Sequence, residues 1–153
     1  MAIIVERADP HCPSARELLW AGHAAMQALF PVKRQAAFSI EPFLPDSVLL
    51  FVASVGGRAV GCCALFLNRD FAELKKLYVI PEARRQGVAN LLISHTEQAA
   101  MDKGVTQLRL ETGMRLSASH RLYARLGFTR CEVFGSHVPS SESLFLVKEL
   151  LQL

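Results

Sequence analysis

LYVIPEARRQGVANLL, residues 77–92, predicts a strand that runs into a short polar loop, and the loop turns at Gly87 directly into an amphipathic helix. The first turn of a helix leaves backbone N–H groups without intrahelical partners, and the helix dipole is positive at that end. Such a strand–loop–helix is a natural anion site. The segment is therefore predicted to bind a phosphate-bearing ligand.

The length and composition of the chain predict one well-packed domain over residues 1–153. With 153 residues, 51% hydrophobic and 20% charged, the chain is large enough to bury about two-thirds of its unfolded surface and too apolar to be disordered. No apolar run approaches the roughly 18 residues of a membrane span, and the first ten residues lack a signal-peptide pattern. We therefore expect a cytoplasmic protein with no membrane partner.

The net charge argues against a nucleic-acid partner, and the cysteine spacing argues against a bound metal. The net charge of +3 is too small to predict a nucleic-acid partner. Four basic residues do gather near the ligand loop, as they would for a small anion or on any solvated surface: Lys75, Lys76, Arg84 and Arg85. The four cysteines form no Cys-x-x-Cys pair and no zinc-like His/Cys spacing, so no metal is expected and the thiols are predicted to be free, as in a reducing cytoplasm.

The remaining elements predict a mixed α/β fold, with a mixed six- to seven-stranded sheet flanked by about four helices. Strand-like segments at 48–55 and 58–67 are joined by Gly56-Gly57, a two-residue hairpin signal. A strand over 71–79, the helix after it and a strand over 106–112 form a crossover. Strands joined by such a crossover are parallel, so at least one parallel pair is expected.

The predicted strand 71–79 contains a break in its alternation. Leu74 and Leu77 are three positions apart and cannot share one face of a regular strand. One extra residue near Lys75-Lys76 would restore the pattern. This predicts a β-bulge, a feature often found beside active sites.

Local signals also predict helix starts and the setting of one histidine. Ser14 followed by Glu17 matches a capping box, and Ser117 is expected to cap a short helix. His95 lies on the apolar face of the helix after the ligand loop and is expected to be a buried histidine. A strand is expected over 129–134.

Two motifs restrict the class of ligand that the loop is expected to bind. Arg84-x-x-Gly87-x-Ala89 opens the helix, and Tyr123-x-x-x-Gly127-Phe128 follows one strand and one helix later. No Gly-Lys-Ser/Thr is present, which excludes a Walker A loop, and the missing second and third glycines exclude a Rossmann fingerprint. Together with Leu77-Tyr78-Val79-x-Pro81 and Leu91-Leu92, these motifs resemble the GNAT superfamily of N-acetyltransferases.

The resemblance implies acetyl-CoA (coenzyme A) as the acetyl donor. In the family the loop amides hold the pyrophosphate, and the end of the strand pairs with the pantetheine arm. Many members carry asparagine seven residues before the tyrosine, where this chain has Leu116, so Ser117 or Ser119 is the candidate to replace that contact. The implied cofactor residues are Leu77, Tyr78, Val79, Arg84, Arg85, Gln86, Gly87, Val88, Ala89, Asn90 and Ser119.

The resemblance also implies catalytic residues. Tyr123 matches the tyrosine that protonates the departing thiolate; the alternative is that it only packs the helix on the sheet. Glu73, eleven positions before Arg84, is the first candidate for general base, against a substrate-binding carboxylate or a solvated strand residue. Glu111 on the neighbouring strand is the second candidate, and two such carboxylates would attract a cationic amine.

No recognisable sequence motif marks the acceptor pocket. It is expected to involve residues 20–47 and 134–142, with His23, Met26 and His137 as substrate-binding candidates; the alternative for each histidine is a purely structural role.

The sequence thus predicts transfer of acetyl from acetyl-CoA to a primary amine, on a small molecule or a peptide, by direct attack in a ternary complex. Homodimers are common in the family. The alternatives are a non-catalytic acyl-CoA-binding sensor or interaction module of the same fold, and an unrelated nucleotide-binding α/β domain.

Overall fold

In the computed structural model, which describes residues 2–30 and 37–150, a seven-stranded mixed sheet runs through the molecule in the order β1-β2-β3-β4-β5-β7-β6. The expected mixed α/β sheet is therefore confirmed. The hairpin predicted at Gly56-Gly57 joins β2 to β3. The strands are β1 (Ile3–Arg7), β2 (Val48–Val55), β3 (Arg58–Leu67), β4 (Ala72–Val79), β5 (Gln107–Gly113), β6 (Thr129–Arg130) and β7 (Ser143–Glu149).

Three α-helices flank the sheet in the described residues, together with two 3-10 turns at Glu41–Phe43 and Pro81–Ala83. Within these same residues, no helix is both long enough and apolar enough to cross a membrane. The helices are α1 (Pro13–Leu29), α2 (Val88–Asp102) and α3 (Ser117–Arg125).

Both predicted helix caps were wrong by one or two residues. The N-cap of α1 is Cys12, because Pro13 fits the first helical position, where its missing N–H costs nothing. The N-cap of α3 is Leu116, not Ser117, and neither cap is formed by a side-chain hydrogen bond.

Two further local predictions were also wrong. His95 is exposed rather than buried, and its Nδ1 lies 2.9 Å from the carbonyl oxygen of Leu91 in the same helix. The strand expected over 129–134 shortens to β6, because only Thr129 and Arg130 pair with β7.

The helices cover opposite faces of the sheet. Along β3, Cys63 packs into the core beneath α2, and its neighbour Cys62 packs into the core beneath α1, as the period of a strand requires. The α2 side also contains Leu74, Leu92, Leu108, Leu110, Tyr123 and Phe128, and the α1 side contains Leu18, Leu19, Leu50, Val52 and Ala64.

Close packing on β3 holds α2 in place. A Cβ atom at Gly61 would lie 3.0 Å from Val88 Cγ1 and 3.1 Å from the carbonyl oxygen of Tyr78. Only a residue without a side chain leaves this room. The start of α2 is thereby fixed against the end of β4.

The predicted bulge interrupts β4 and opens the sheet. Cys62 pairs with Tyr78 but Ala64 pairs with Lys75, so β4 carries one extra residue, and Lys76 has a φ of 60°. The predicted parallel pair is β4 with β5, and its pairing is limited to Ala72 with Leu108 and Glu73 with Arg109. Beyond Glu73 the two strands separate, and we call the space between them the β4–β5 gap.

Candidate active site

The loop after β4 presents a row of unused backbone amides. The first intrahelical hydrogen bond of α2 runs from the Leu91 N–H to the Gly87 carbonyl oxygen, at 3.1 Å. The six amides of residues 85–90 therefore donate to no acceptor within the described chain. Arg85 and Gly87 have φ values of 63° and 87°, a conformation in which successive N–H groups form a concave anion site.

Side chains of the loop fix its shape. The Nε–H of Arg84 donates to the Val79 carbonyl oxygen at 2.9 Å, and the guanidinium lies 5.9 Å from the centre of the Tyr78 ring. Gln86 Nε2 donates to the Glu82 carbonyl oxygen at 3.2 Å. These two predicted cofactor residues thus hold the loop with their side chains. The Arg84 N–H donates to the Pro81 carbonyl oxygen at 3.3 Å, whereas the Gln86 N–H has no acceptor among the described residues and is available to an anion.

The last residue of β4 faces the gap with its backbone. Ile80 donates its N–H to Val60 on β3, at 2.9 Å. Because N–H directions alternate along an extended strand, the Val79 N–H is aimed away from β3, to the side on which β5 has separated. A donor at this position suits an extended ligand arm lying in the gap.

Tyr123 lies on the α2 side of the sheet. Its ring packs edge-on against Phe128, with 5.6 Å between ring centres, and the residue is buried. Burial, and to a smaller extent the neighbouring Cys63, raise the pKa of Tyr123 to about 12. The phenol is therefore protonated at physiological pH and can act there only as a proton donor.

The start of α3 is tied to the end of β5 by a residue that the sequence did not single out. His120 Nε2 lies 2.7 Å from the Gly113 carbonyl oxygen, and the Leu116 N–H donates to the same oxygen at 3.1 Å. Ser119 is half-buried in the first turn of α3, and its hydroxyl bonds to none of the residues described.

On the α1 side of the sheet, the structure joins three of the predicted residues. Glu73 is buried at the last position where β4 and β5 pair, and its Oε2 lies 2.7 Å from His137 Nε2. The other ring nitrogen of His137, Nδ1, lies 3.6 Å from Oε1 of Glu111 on β5. His137 therefore bridges the two strands that border the gap.

Further residues, which the sequence did not reveal, support the bridge that His137 forms between Glu73 and Glu111. The Ser143 hydroxyl donates to Glu111 Oε2 at 2.7 Å. The His137 ring packs against Phe134 and Phe145, with ring centres 5.1 and 5.6 Å apart. Ser143 is 32 positions from Glu111, and no local pattern connects residues so far apart.

The predicted pocket residues on α1 lie apart from this bridge. His23 packs near Phe38, with ring centres 5.8 Å apart, and its Nε2 is buried with no hydrogen-bond partner among residues 2–30 and 37–150. Met26 is 39% exposed. The end of α1 does reach β5, because a Cβ atom at Gly113 would lie 2.8 Å from Phe30 Cζ. Residues 31–36 of the expected pocket lie outside the described part of the chain.

No group of three histidine, cysteine, aspartate or glutamate residues within 2–30 and 37–150 is arranged to hold a metal ion. A hollow of about 470 Å³ is lined by residues 67–70 and 103–106, at the opposite ends of β4 and β5 from the ligand loop. The candidate catalytic residues Glu73 and Tyr123 lie around the β4–β5 gap and not at this hollow.

Comparison with known proteins agrees with this arrangement. The sequence profile of the Acetyltransferase (GNAT) family matches residues 13–128. The uncharacterized N-acetyltransferase YedL of Escherichia coli (strain K12) is 32% identical over 138 residues, covering 81% of this chain and 87% of that protein. The IAA acetyltransferase of Azospirillum brasilense is 29% identical over 124 residues, covering 80% and 81%.

Solved structures show the same fold. A Klebsiella pneumoniae protein provisionally assigned as an acyl-CoA N-acyltransferase superposes with a TM-score of 0.83 at 27% identity, covering 97% of this chain and 98% of that one. A GNAT family acetyltransferase from Elizabethkingia anophelis, solved with acetyl-CoA bound, superposes with a TM-score of 0.74 at 18% identity, covering 97% and 98%. The chain therefore belongs to the GNAT family of acetyltransferases, and it is an enzyme that transfers acetyl from acetyl-CoA to an amine.

Proposed function

We propose that this enzyme acetylates a primary amine by direct attack in a ternary complex, with Glu73 as general base and Tyr123 as general acid. One observation carries the proposal. The pairing of β4 with β5 stops at Glu73, and Glu73 and Tyr123 belong to opposite faces of the sheet at this gap. An acyl group lying in the gap would have the attacking amine, next to Glu73, on one face of the sheet. It would have the general acid Tyr123 on the other face.

The residues around the gap fit acetyl-CoA, which supplies the activated acyl group. The six free amides of residues 85–90 would hold its pyrophosphate. The exposed backbone of Leu77 to Val79 would pair with the pantetheine arm, and the Val79 N–H would polarise the thioester carbonyl. Ser119, at the start of α3, is proposed as a lesser contact to the same ligand.

Glu73 is placed to take a proton from the amine. Its Oε2 is occupied by His137, whereas none of the described residues hydrogen-bonds to Oε1. An ammonium group bound at Oε1 would lose its proton there, and the neutral amine could then attack the acyl carbon.

Tyr123 is suited to the second proton transfer. A phenol that stays protonated through physiological pH can donate to a thiolate as it departs, and its burial on the α2 side keeps water from competing.

The cysteines near the gap support direct attack rather than an acyl-enzyme. Burial raises the pKa of Cys62 to about 12 and that of Cys63 well above its ordinary value. Thiols in this state are protonated and are poor nucleophiles. Cys131 also has a raised pKa, mainly through burial.

The acceptor is proposed to be a cationic amine, drawn to the carboxylates of Glu73 and Glu111. His23 and Met26 would contact the rest of the acceptor from α1. We also place the enzyme in the cytoplasm, in line with its free cysteines, and expect a homodimer; light scattering of the purified protein would test the dimer.

Thiol release from acetyl-CoA, measured across a panel of monoamines, polyamines, aminoglycosides and peptides, tests the proposal. Acetylated product from at least one amine is expected, with Glu73→Gln lowering kcat about 100-fold at an unchanged KM for acetyl-CoA. Glu6→Gln, on the exposed face of β1, is the matched control. Full activity of Glu73→Gln would remove Glu73 from the mechanism.

A further inference from the structure

We infer that His137 is a positioning residue that holds the Glu73 carboxylate in its reactive orientation, and that Glu111 serves to hold His137 rather than to act as a second base. The inference rests on the proposed role of Glu73. It assigns one function to a group of residues from β4, β5, the segment after β6, and β7.

The contact between His137 and Glu73 requires a shared proton. Two unprotonated acceptors would repel each other at the 2.7 Å that separates Nε2 from Oε2, so a proton lies between them. A general base must be an unprotonated carboxylate, so the proposed role of Glu73 makes the imidazole the donor to Oε2, and this bond fixes the plane of the carboxylate. Oε1 is left as the oxygen that can accept from the amine.

The imidazole itself is held rigidly. Its ring packs against Phe134 and Phe145, which also pack edge-on against each other, and its backbone N–H donates to the Phe134 carbonyl oxygen at 3.2 Å. Phe134 packs edge-on against Phe71, two residues before Glu73, with 5.3 Å between ring centres. The same aromatic group thus anchors both partners of the hydrogen bond.

Glu111 completes the arrangement from the other strand. Its Oε1 faces Nδ1 of His137 at 3.6 Å, and its Oε2 accepts from Ser143 at 2.7 Å. The 3.6 Å contact is too long for a hydrogen bond and is electrostatic, and Ser143 holds the Glu111 carboxylate in place beside the imidazole. The Arg109 guanidinium packs over the Phe134 ring, 5.6 Å from its centre.

Exposure separates the roles of the two carboxylates. The side chain of Glu73 is 9% exposed, that of His137 18% and that of Glu111 29%. Glu73 is the inner group, and its Oε1 has neither a hydrogen bond nor an ion pair with any described residue. Glu111 is the outer group, with Oε2 hydrogen-bonded to Ser143 and Oε1 at ion-pair distance from His137. Of the two carboxylates, Glu73 is the one that combines burial with an oxygen facing no partner.

The first test compares His137→Leu with His137→Gln. Leucine removes the donor, and kcat should fall about 10-fold or more, as expected for a lost hydrogen bond to a charged group. Glutamine keeps an N–H donor and should recover most of that loss, and neither change should alter the KM for acetyl-CoA. His11→Leu, an exposed histidine before α1, is the control. Equal loss in both variants would overturn the inference.

The second test is a double-mutant cycle with Glu73→Gln. If His137 acts through Glu73, His137→Leu should have no further effect on kcat once Glu73 is replaced. A full Glu73 effect with an independent His137 effect would overturn the positioning role alone. An unchanged rate in Glu73→Gln by itself would overturn the proposed base, and the inference with it.

Nitrogen-15 NMR of the wild-type enzyme provides a readout that survives if a His137 variant fails to fold. The His137 Nε2 signal should be that of a protonated nitrogen and should shift in Glu73→Gln. Glu111→Gln should move the Nδ1 signal and lower kcat about threefold. A His137 spectrum unaffected by both substitutions would contradict the arrangement.

Discussion

The two sides of the β4–β5 gap are built in different ways. The proposed donor side is one continuous stretch, residues 77–92, which follows the bulge and whose unpaired backbone amides belong to a loop and a helix start. The proposed acceptor side brings together Glu73, Glu111, His137 and Ser143 from four separate parts of the chain. The donor side depends on backbone conformation, and the acceptor side depends on side chains.

On the proposed assignment, the donor site would depend on fewer side chains than the acceptor site. Backbone amides tolerate most side-chain changes, so the donor site survives wherever the loop keeps its conformation. A side-chain network changes with each substitution in any of its segments. Variants on the two sides should accordingly have different kinetic signatures, with the KM for acetyl-CoA affected by the loop and kcat by the network.

The largest effect, equal to that of Glu73→Gln, is expected for Tyr123→Phe, because Tyr123 lies on the α2 side of the sheet and belongs neither to the loop nor to the side-chain network. Loss of the phenolic proton should lower kcat about 100-fold with little change in the KM for acetyl-CoA. Steady-state kinetics with the best amine of the panel measure both. Phenylalanine preserves the edge-on packing on Phe128, so a fully active variant would assign Tyr123 a purely structural role.

Gly87→Val should give the complementary signature. Its φ of 87° is unfavourable for valine, although no atom lies within 4 Å of the added Cβ, so the change acts on the backbone and not through a clash. The amides should shift and the KM for acetyl-CoA should rise about 10-fold, with a smaller effect on kcat.

The hairpin offers a matched control for this loop variant. Gly57 has a φ of 81° and similarly open surroundings. Gly57→Val should destabilise the protein to a similar extent and leave the KM for acetyl-CoA unchanged. Equal KM values in the two variants would show that the loop does not hold the donor.

The same contrast explains what could be predicted from the sequence. The loop, the helix and the bulge follow from residues close together in the chain, such as Leu74, Leu77 and Gly87, so local pattern was sufficient. Glu73 and His137 were each named as candidates, but their hydrogen bond spans 64 positions and has no signature in one sequence. The predicted N-cap of α1 was wrong because Pro13, one residue before Ser14, begins the helix.

Alkaline stability should report the raised pKa values of Tyr123 and Cys62. The pKa of Tyr123 is raised from 10.0 to about 12 in the folded state, so between these values the unfolded chain loses a proton that the folded one keeps. The free energy of unfolding should therefore fall with rising pH in that window, and Tyr123 alone contributes at most about 1.4 kcal/mol per pH unit to the slope. Cys62, raised from 9.0 to about 12, should contribute from pH 9 upward.

Urea unfolding from pH 8 to 11 measures these slopes. Tyr123→Phe should flatten the decline only above pH 10, and Cys62→Ala should flatten it from pH 9. Comparing slopes removes the constant cost of the cavity that alanine leaves. Slopes identical to wild type in both variants would mean that neither group keeps its proton on folding.

The smallest effect is expected for Ser143→Ala, at the outer end of the acceptor network. Its hydroxyl reaches Glu73 only through Glu111 and His137, so each intervening contact can absorb part of the change. Because this hydrogen bond is made to Glu111 and not to Glu73 itself, its loss should lower kcat about twofold and leave the KM for acetyl-CoA unchanged. Ser140→Ala, in the same segment but bonded to the Glu142 N–H, should have no effect. A Ser143 effect larger than that of His137→Leu would mean that Glu111 acts on the substrate directly, because a residue that only supports His137 cannot cost more than His137 itself.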